Sequence, residues 1–340
     1  MTTSSPSSTG GEGVAVLCGG VGAARFLSGL VGAVDHGLVA EAHDAARITA
    51  VVNTADDCTM HGLAISPDLD TVTYTLAGAI DPERGWGLVD ESWRAMQSLE
   101  RYVAVRPDDS GAAPQWFNLG DQDLATHFYR TARLAEGAPL TVVTDEIRRA
   151  WGLAVRIVPM SDQPIATVVT IADDAGPRDV AFQEYFVRLR HAVPVEAIRF
   201  AGDATLSAAA RRAIDEAAAV VIAPSNPLVS IGPIRSLPGV DEILRRRRER
   251  VAAVSPIVGG AALKGPADRM LTELGHEPSV VGVARLYAPV ASVLVVDPAD
   301  EHLAGEVEAA GMRCVVAPSV MTTPEVARDL AAATIRSLDS

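Results

Sequence analysis

In Val14-Ala15-Val16-Leu17-Cys18-Gly19-Gly20-Val21-Gly22-Ala23-Ala24-Arg25, five apolar residues run into a cluster of glycines. The apolar run reads as a strand buried on both faces and the glycines as a tight turn. Phe26, Leu27, Leu30, Val31 and Val34 then fall at the spacing of a helix stripe. Strand, glycine turn and helix in that order open a β-α-β layer. Ile48–Val52 is the next strand, followed by a polar loop over residues 53–62. A helix is predicted from residue 68 or 69 to 80, with Asp68 as a plausible cap.

Helical patterns then dominate, over residues 91–102, 121–135 and 140–150, with a Pro/Asp/Ser/Gly loop at 106–114 between them. Strand-like runs return at 155–159 and 165–171. Beyond them, apolar runs at 220–223, 251–254, 293–296 and 314–317 alternate with helical patterns at 205–218, 240–250, 267–274, 299–310 and 324–337. The expected fold is α/β: a Rossmann-like, doubly wound, mostly parallel sheet with a helical insertion. The core comprises residues 14–81 and 155–340, and the insertion residues 82–154. Residues 1–13, rich in Ser, Thr and Gly, read as a disordered tail.

Composition narrows the function. Hydrophobic residues make up 48% of the chain and aromatics only 4%, so the core is aliphatic, as buried parallel strands require. A net charge of −14 argues against nucleic-acid binding, although backbone N–H groups, a few arginines and a metal ion can still make a local anion site. Cys18, Cys58 and Cys314 show no CxxC spacing, so neither a disulfide framework nor a zinc site is expected. No signal peptide and no membrane-length apolar stretch is read, and a cytoplasmic protein is expected. The run Arg245 to Arg250 reads as a solvated helix end, where cations suit the dipole.

Loops leaving the carboxyl ends of parallel strands are where ligands gather. In the first, Gly19, Gly20, Gly22, Ala23 and Arg25 frame a turn whose N–H groups can approach a phosphate; a packing turn explains the glycines as well. The third glycine of a dinucleotide fingerprint is replaced by Arg25, and Asn53 rather than an acid closes the second strand. Both weaken the alternative of an NAD- or sugar-nucleotide-dependent oxidoreductase. In the second loop, Asp56 and Asp57 are adjacent carboxylates after a buried strand. Either they bind Mg²⁺ together with a substrate phosphate or they form a capped, solvated turn. Asp70, in the first turn of the next helix, is a further candidate ligand. A further loop, Ala223 to Ile234 with Ser225, Asn226, Pro227, Ser230 and Ile231, is more elaborate than a plain strand-to-helix connection and is read as a ligand loop.

At these loops the chain resembles the 2-phospho-L-lactate transferases of coenzyme F-420 biosynthesis, called CofD in archaea and FbiA in actinobacteria. The resemblance is carried by Cys18 to Arg25, by Val52-Asn53-Thr54-Ala55-Asp56-Asp57 with Met60-His61-Gly62, and by Ser66-Pro67-Asp68-Leu69-Asp70-Thr71. It continues through Asn118 to His127, Met160-Ser161-Asp162, Ala223 to Pro227, Ser230 to Ile234, Ser255 to Gly260 and Leu263-Lys264-Gly265-Pro266-Ala267-Asp268. One departure is Ala55, where the family more often has Gly. The resemblance implies a transferase that moves a phospho-lactyl or phosphoenolpyruvyl group from a guanosine-diphospho donor to the deazaflavin Fo and releases GMP. Mg²⁺ is implied on Asp56, Asp57 and Asp70, with Asp56 and Asp57 catalytic. Gly19, Gly20, Gly22, Ala23, Arg25, Ser225, Asn226, Pro227, Ser230, Ile231 and Lys264 are assigned to the donor. Asn53, Thr54, Trp86, Asp121 and His127 are assigned to the acceptor. The partners expected are these small molecules and a second subunit in a homodimer.

Overall fold

The computed structural model describes residues 11–173 and 176–339. Most of the expected tail therefore lies outside the described residues. Its described end is held: Gly13 donates to Glu41 and accepts from Ala218, and Glu12 pairs with Arg47.

Seven parallel strands form the central sheet, in the order Arg313–Val316, Val293–Val296, Val251–Val254, Ala219–Ile222, Val14–Cys18, Ile48–Val52, Arg156–Pro159. Chain order runs outward in both directions from the pair Val14–Cys18 and Ala219–Ile222. Between those two strands lies the topological switch point of a doubly wound fold, where ligand crevices form. The Rossmann-like α/β architecture is as expected.

Strand residues alternate between two cores, because successive side chains point to opposite faces. Val14, Val16, Cys18, Ala50, Val52 and Val221 pack with the helices Gly20–Asp35, Pro67–Leu76 and Pro324–Arg336. Ala15, Leu17, Val51, Val220 and Ile222 pack with Ala208–Glu216, Val240–Arg246 and Val280–Tyr287. Gly29 lets two helices touch: a Cβ there would overlap the Ala327 carbonyl.

Three sequence expectations are corrected. The run at 165–171 does not join the central sheet. As Ala166–Ile171 it is the middle strand of a separate antiparallel sheet, flanked by Arg178–Ala181 and Val195–Ala201. Its burial alternates, as suits a sheet with one solvated face. The polar loop after Ile48–Val52 contains a hairpin, Cys58–Met60 with Leu63–Ile65, turned by His61 and Gly62 with φ of 53° and 78°. Two left-handed residues between paired strands make the tight turn that suits strand twist. Third, the arginine run is only partly a solvated face. Arg247 donates to the carbonyls of Ile214 and Ala217, and Arg248 to those of Ala288 and Gly311. Those carbonyls end helices, and cations there satisfy orphan acceptors.

Between Ile80 and Arg156 the regular elements are the helices Arg94–Val103, Asp123–Ala135 and Leu140–Ala150. Among the described residues no helix is long and apolar enough to cross a membrane.

Candidate active site

The glycine turn and the Ala223-to-Ile231 loop meet at the switch point. Ser225 Oγ donates to the Gly19 carbonyl at 2.9 Å, and a Cβ on Gly22 would overlap the Pro224 carbonyl. Gly22 is thus required by close approach of two loops. The helix Gly20–Asp35 starts here with no side-chain cap from Gly19. Its positive end is approached by a carboxylate: Asp68 takes a hydrogen bond from the Gly20 N–H. The N–H groups of Val21 and Gly22 remain as those a helix's first turn presents outward. Arg25 stands exposed on the same helix.

Asp68 is therefore not the helix cap expected from the sequence. Pro67–Leu76 begins after Ser66, and Asp68 turns back to the glycine turn. Sequence reading missed this role because an acid in the first turn of a helix has an ordinary explanation in the dipole.

Asn53 joins the acids. Its Nδ2 donates at 3.0 Å to Asp56 Oδ2 and at 3.0 Å to Asp68 Oδ2, while its Oδ1 accepts from the Ala55 N–H. The residue is fully buried and both amide hydrogens are used, so Asn53 organises carboxylates rather than facing an acceptor. Asp57 turns the other way and accepts from Ser66 Oγ at 2.7 Å. Burial pushes Asp56 well above the usual carboxylate range, and Asp68 pushes it further. Burial also raises Asp57, against the Ser66 hydrogen bond and the Arg130 charge. Asp68 is raised to about 6 by burial, against donation from Asn53 and Gly20.

Two buried oxygens on this turn, Thr54 Oγ1 and Asp57 Oδ1, have no hydrogen-bond partner, and the Thr167 hydroxyl lies against Asp56, where it favours the ionised carboxylate without closing a well-formed hydrogen bond to Oδ1. Buried oxygens without partners are costly, and an all-oxygen set of carboxylates and hydroxyls is the chemistry of a hard divalent cation. In donor type the turn suits Mg²⁺.

Asp70 is committed elsewhere. Arg130, itself buried, clasps it with both guanidinium nitrogens and donates to His127 Nδ1 at 3.2 Å. That contact puts the ring proton on Nε2, which faces Asp123 Oδ2 at 3.3 Å. Asp123 also accepts from Tyr74 at 2.6 Å. Among the described residues Asp70, Asp123 and His127 bring ligand atoms within 4.8 Å of one another, a set that does not include Asp56 or Asp57. Its resident cation is the guanidinium of Arg130, whose charge repels a metal ion at that spot.

Several other expected contacts are turned inward. His127 is only 1% exposed and lies in this network. Asp121 receives the Ser92 hydroxyl and the N–H groups of Arg94 and Ala95, satisfying the start of helix Arg94–Val103. The Ser225-to-Ile231 loop closes on itself. Asn226 Oδ1 accepts from Leu228 and Val229, and its carbonyl accepts from Ser230 and Ile231. Most of the N–H groups expected to hold a diphosphate are thus spent on the loop's own shape, and Ile231 is a core side chain.

Trp86 and Lys264 do come to the same place. Gly85 lies against Val21 of the glycine turn and against Lys264, whose Nζ would stand 3.0 Å from a Cβ at Gly85. Next to it the Arg84 guanidinium lies 5.4 Å from the Trp86 ring and 5.1 Å from Trp93, with Trp86 44% exposed. Glu91, enclosed and paired with Arg84, accepts from Leu88 and ties this turn in place. An aromatic ledge thus borders the glycine turn.

Fold and site define the class: a doubly wound α/β protein with a carboxylate-rich crevice at its switch point, suited to a phosphorylated ligand and a divalent cation. The family model of 2-phospho-L-lactate transferase CofD matches residues 14–322, and the chain belongs to that family of transferases. It is 42% identical over 321 residues to a phosphoenolpyruvate transferase of Kitasatospora aureofaciens, covering 94% of this chain and 95% of the relative. It is 40% identical over 316 residues to one of Mycolicibacterium smegmatis, covering 92% and 94%. Among solved structures, protein BH3568 of Bacillus halodurans superposes with a TM-score of 0.58 over 97% of this chain and 100% of that one, at 15% identity, a likeness of fold.

Proposed function

We propose that the protein transfers a phosphoenolpyruvyl group from a guanosine-diphospho donor to the terminal ribityl hydroxyl of the deazaflavin Fo, releasing GMP, in coenzyme F-420 biosynthesis. Family membership supports the transfer of a three-carbon phosphoacid. The names of the relatives at 40–42% identity favour enolpyruvate over lactate. Membership of a transferase family also sets aside the oxidoreductase alternative.

The observation that carries the reading is the pair Asp56 and Asp57, each with one buried oxygen lacking a well-formed hydrogen bond, at the sheet edge beside the glycine turn. An anionic donor brought to that edge meets three carboxylates, counting Asp68, and is repelled unless a cation lies between them. We assign Mg²⁺ to Asp56 and Asp57, where it supplies charge neutralisation at the transferred phosphorus. Asp70 acts behind them by fixing Arg130, whose charge favours ionised Asp57. The Val21 and Gly22 N–H groups, Arg25 and Lys264 receive the donor phosphates, and Ser225 holds the turn that presents them. The Trp86 ledge provides the apolar wall a planar acceptor requires. Catalysis on this reading is positioning plus electrostatics, with one carboxylate taking the hydroxyl proton.

Asp57→Asn keeps shape and removes one charge. Turnover should fall about a hundredfold or more, the scale of losing a main electrostatic contact, with folding intact. Chelator should abolish wild-type activity and Mg²⁺ or Mn²⁺ restore it. Full turnover in chelator would reduce the acid pair to a hydrogen-bonded turn.

A further inference from the structure

The separate antiparallel sheet brings the Thr167 hydroxyl against Asp56, and it is fastened to the acid turn at two further points. The Thr167 N–H of its middle strand donates to the Ala55 carbonyl at 2.7 Å. Gln183, just after the strand Arg178–Ala181, donates from Nε2 to the Asp56 main-chain carbonyl at 3.1 Å, across 127 residues of sequence. Gln183 is 7% exposed and precedes a single π turn, Glu184–Arg188, a rare geometry found often at functional sites. The same sheet grips the other side of the crevice. Val229 of the Ser225-to-Ile231 loop is buried in the cluster formed by Val169, Ile171, Val180 and Tyr185. The Val229 carbonyl in turn lies 3.5 Å from Asn53 Nδ2.

Peptide planes carry their side chains with them. Fixing the carbonyls of Ala55 and Asp56 therefore fixes the directions in which the Asp56 and Asp57 carboxylates leave the chain. Packing alone does not require a donor at position 183. An apolar side chain of the same length fills the space equally well, whereas an amide aimed at one carbonyl fixes an orientation. We infer that Gln183 is a positioning residue for the Asp56–Asp57 pair, and that the antiparallel sheet holds the acid turn and the switch-point loop in mutual register. This inference rests on the metal-assisted reading of that pair.

Gln183→Met tests it, because methionine keeps the length of the side chain and removes the N–H donor. Mn²⁺ affinity is measured by electron paramagnetic resonance on the full chain, alongside the melting temperature and the separate kcat and KM of transfer. Removing a partner that orients a metal ligand costs about 10- to 100-fold in metal affinity or activity. Gln183→Met should weaken Mn²⁺ binding and lower kcat on that scale, with KM for the acceptor within about twofold and the melting temperature nearly unchanged. Gln183→Ala should do the same and is the reserve if the methionine variant does not fold. Wild-type Mn²⁺ affinity and kcat in a folded Gln183→Met would overturn the inference and leave the residue as packing. If the wild-type chain binds no Mn²⁺, the metal reading fails, and kcat of the variant against wild type then decides positioning by itself. If the wild-type chain binds Mn²⁺ but does not transfer, the affinity ratio decides it.

Discussion

The Asn53 amide and the Asp68 carboxylate, fifteen residues apart in sequence, are joined by a 3.0 Å hydrogen bond at the carboxyl end of the sheet. Through the second hydrogen of the same amide, Asp56 is joined to them. One neutral side chain thereby holds together carboxylates that would otherwise repel. Hydrogen bonds to charged groups contribute about 1.5–3 kcal/mol, and leaving such a group unsatisfied costs more. Asn53→Ala should therefore lower the unfolding free energy by roughly 3 kcal/mol in denaturant titrations. A loss below about 1 kcal/mol would mean that water replaces the amide.

Asp68 gives a pH signature. Its carboxyl is raised to about 6 when folded, so the protonated form is favoured by folding. Stability from this group is fully present below its unfolded pKa, near 4, and is lost as pH rises through 6. Metal-free Asp68→Asn should therefore melt higher than wild type at pH 7.5 and equal to it near pH 4. Equal melting temperatures at both pH values would show that Asp68 is ordinarily solvated.

Arg247 sits at the opposite, amino edge of the sheet, on the carbonyls that end Ala208–Glu216. Arg247→Met keeps much of the aliphatic packing and orphans those carbonyls, at a cost of about 1–3 kcal/mol. Thermal melts should show that loss while kinetic constants stay at wild-type values. A kinetic defect without a stability defect would contradict the capping role.

The Rossmann-like core was legible because its signals are periodic. Val14–Cys18, Val251–Val254 and Val293–Val296 are uninterrupted apolar runs and Ile48–Val52 is broken only by Thr49, the pattern of strands buried on both faces. The antiparallel sheet was missed because its partner strands are half exposed: Arg178–Ala181 and Val195–Ala201 carry charges that look like loop. At the site, the acid pair and glycine turn could be found from residue type and position after a strand. The direction of each side chain could not. The contacts of Asn53 with Asp68 and of Gln183 with Asp56 span 15 and 127 residues, and no local pattern encodes them. Asp121, His127 and Ile231 stood near the right loops, but capping, a buried network and the core claimed them.

Transfer changes the mass of the deazaflavin product, and that mass decides whether it occurs. Purified protein is incubated with Fo, Mg²⁺ and the enolpyruvyl-diphospho-guanosine donor, then in parallel with the lactyl donor, and the deazaflavin is analysed by mass spectrometry. Fo should be enlarged by one phosphoenolpyruvyl unit, with one GMP released per product and faster turnover than with the lactyl donor. Unchanged Fo with both donors, in protein shown to be folded and metal-loaded, would contradict the proposed transfer.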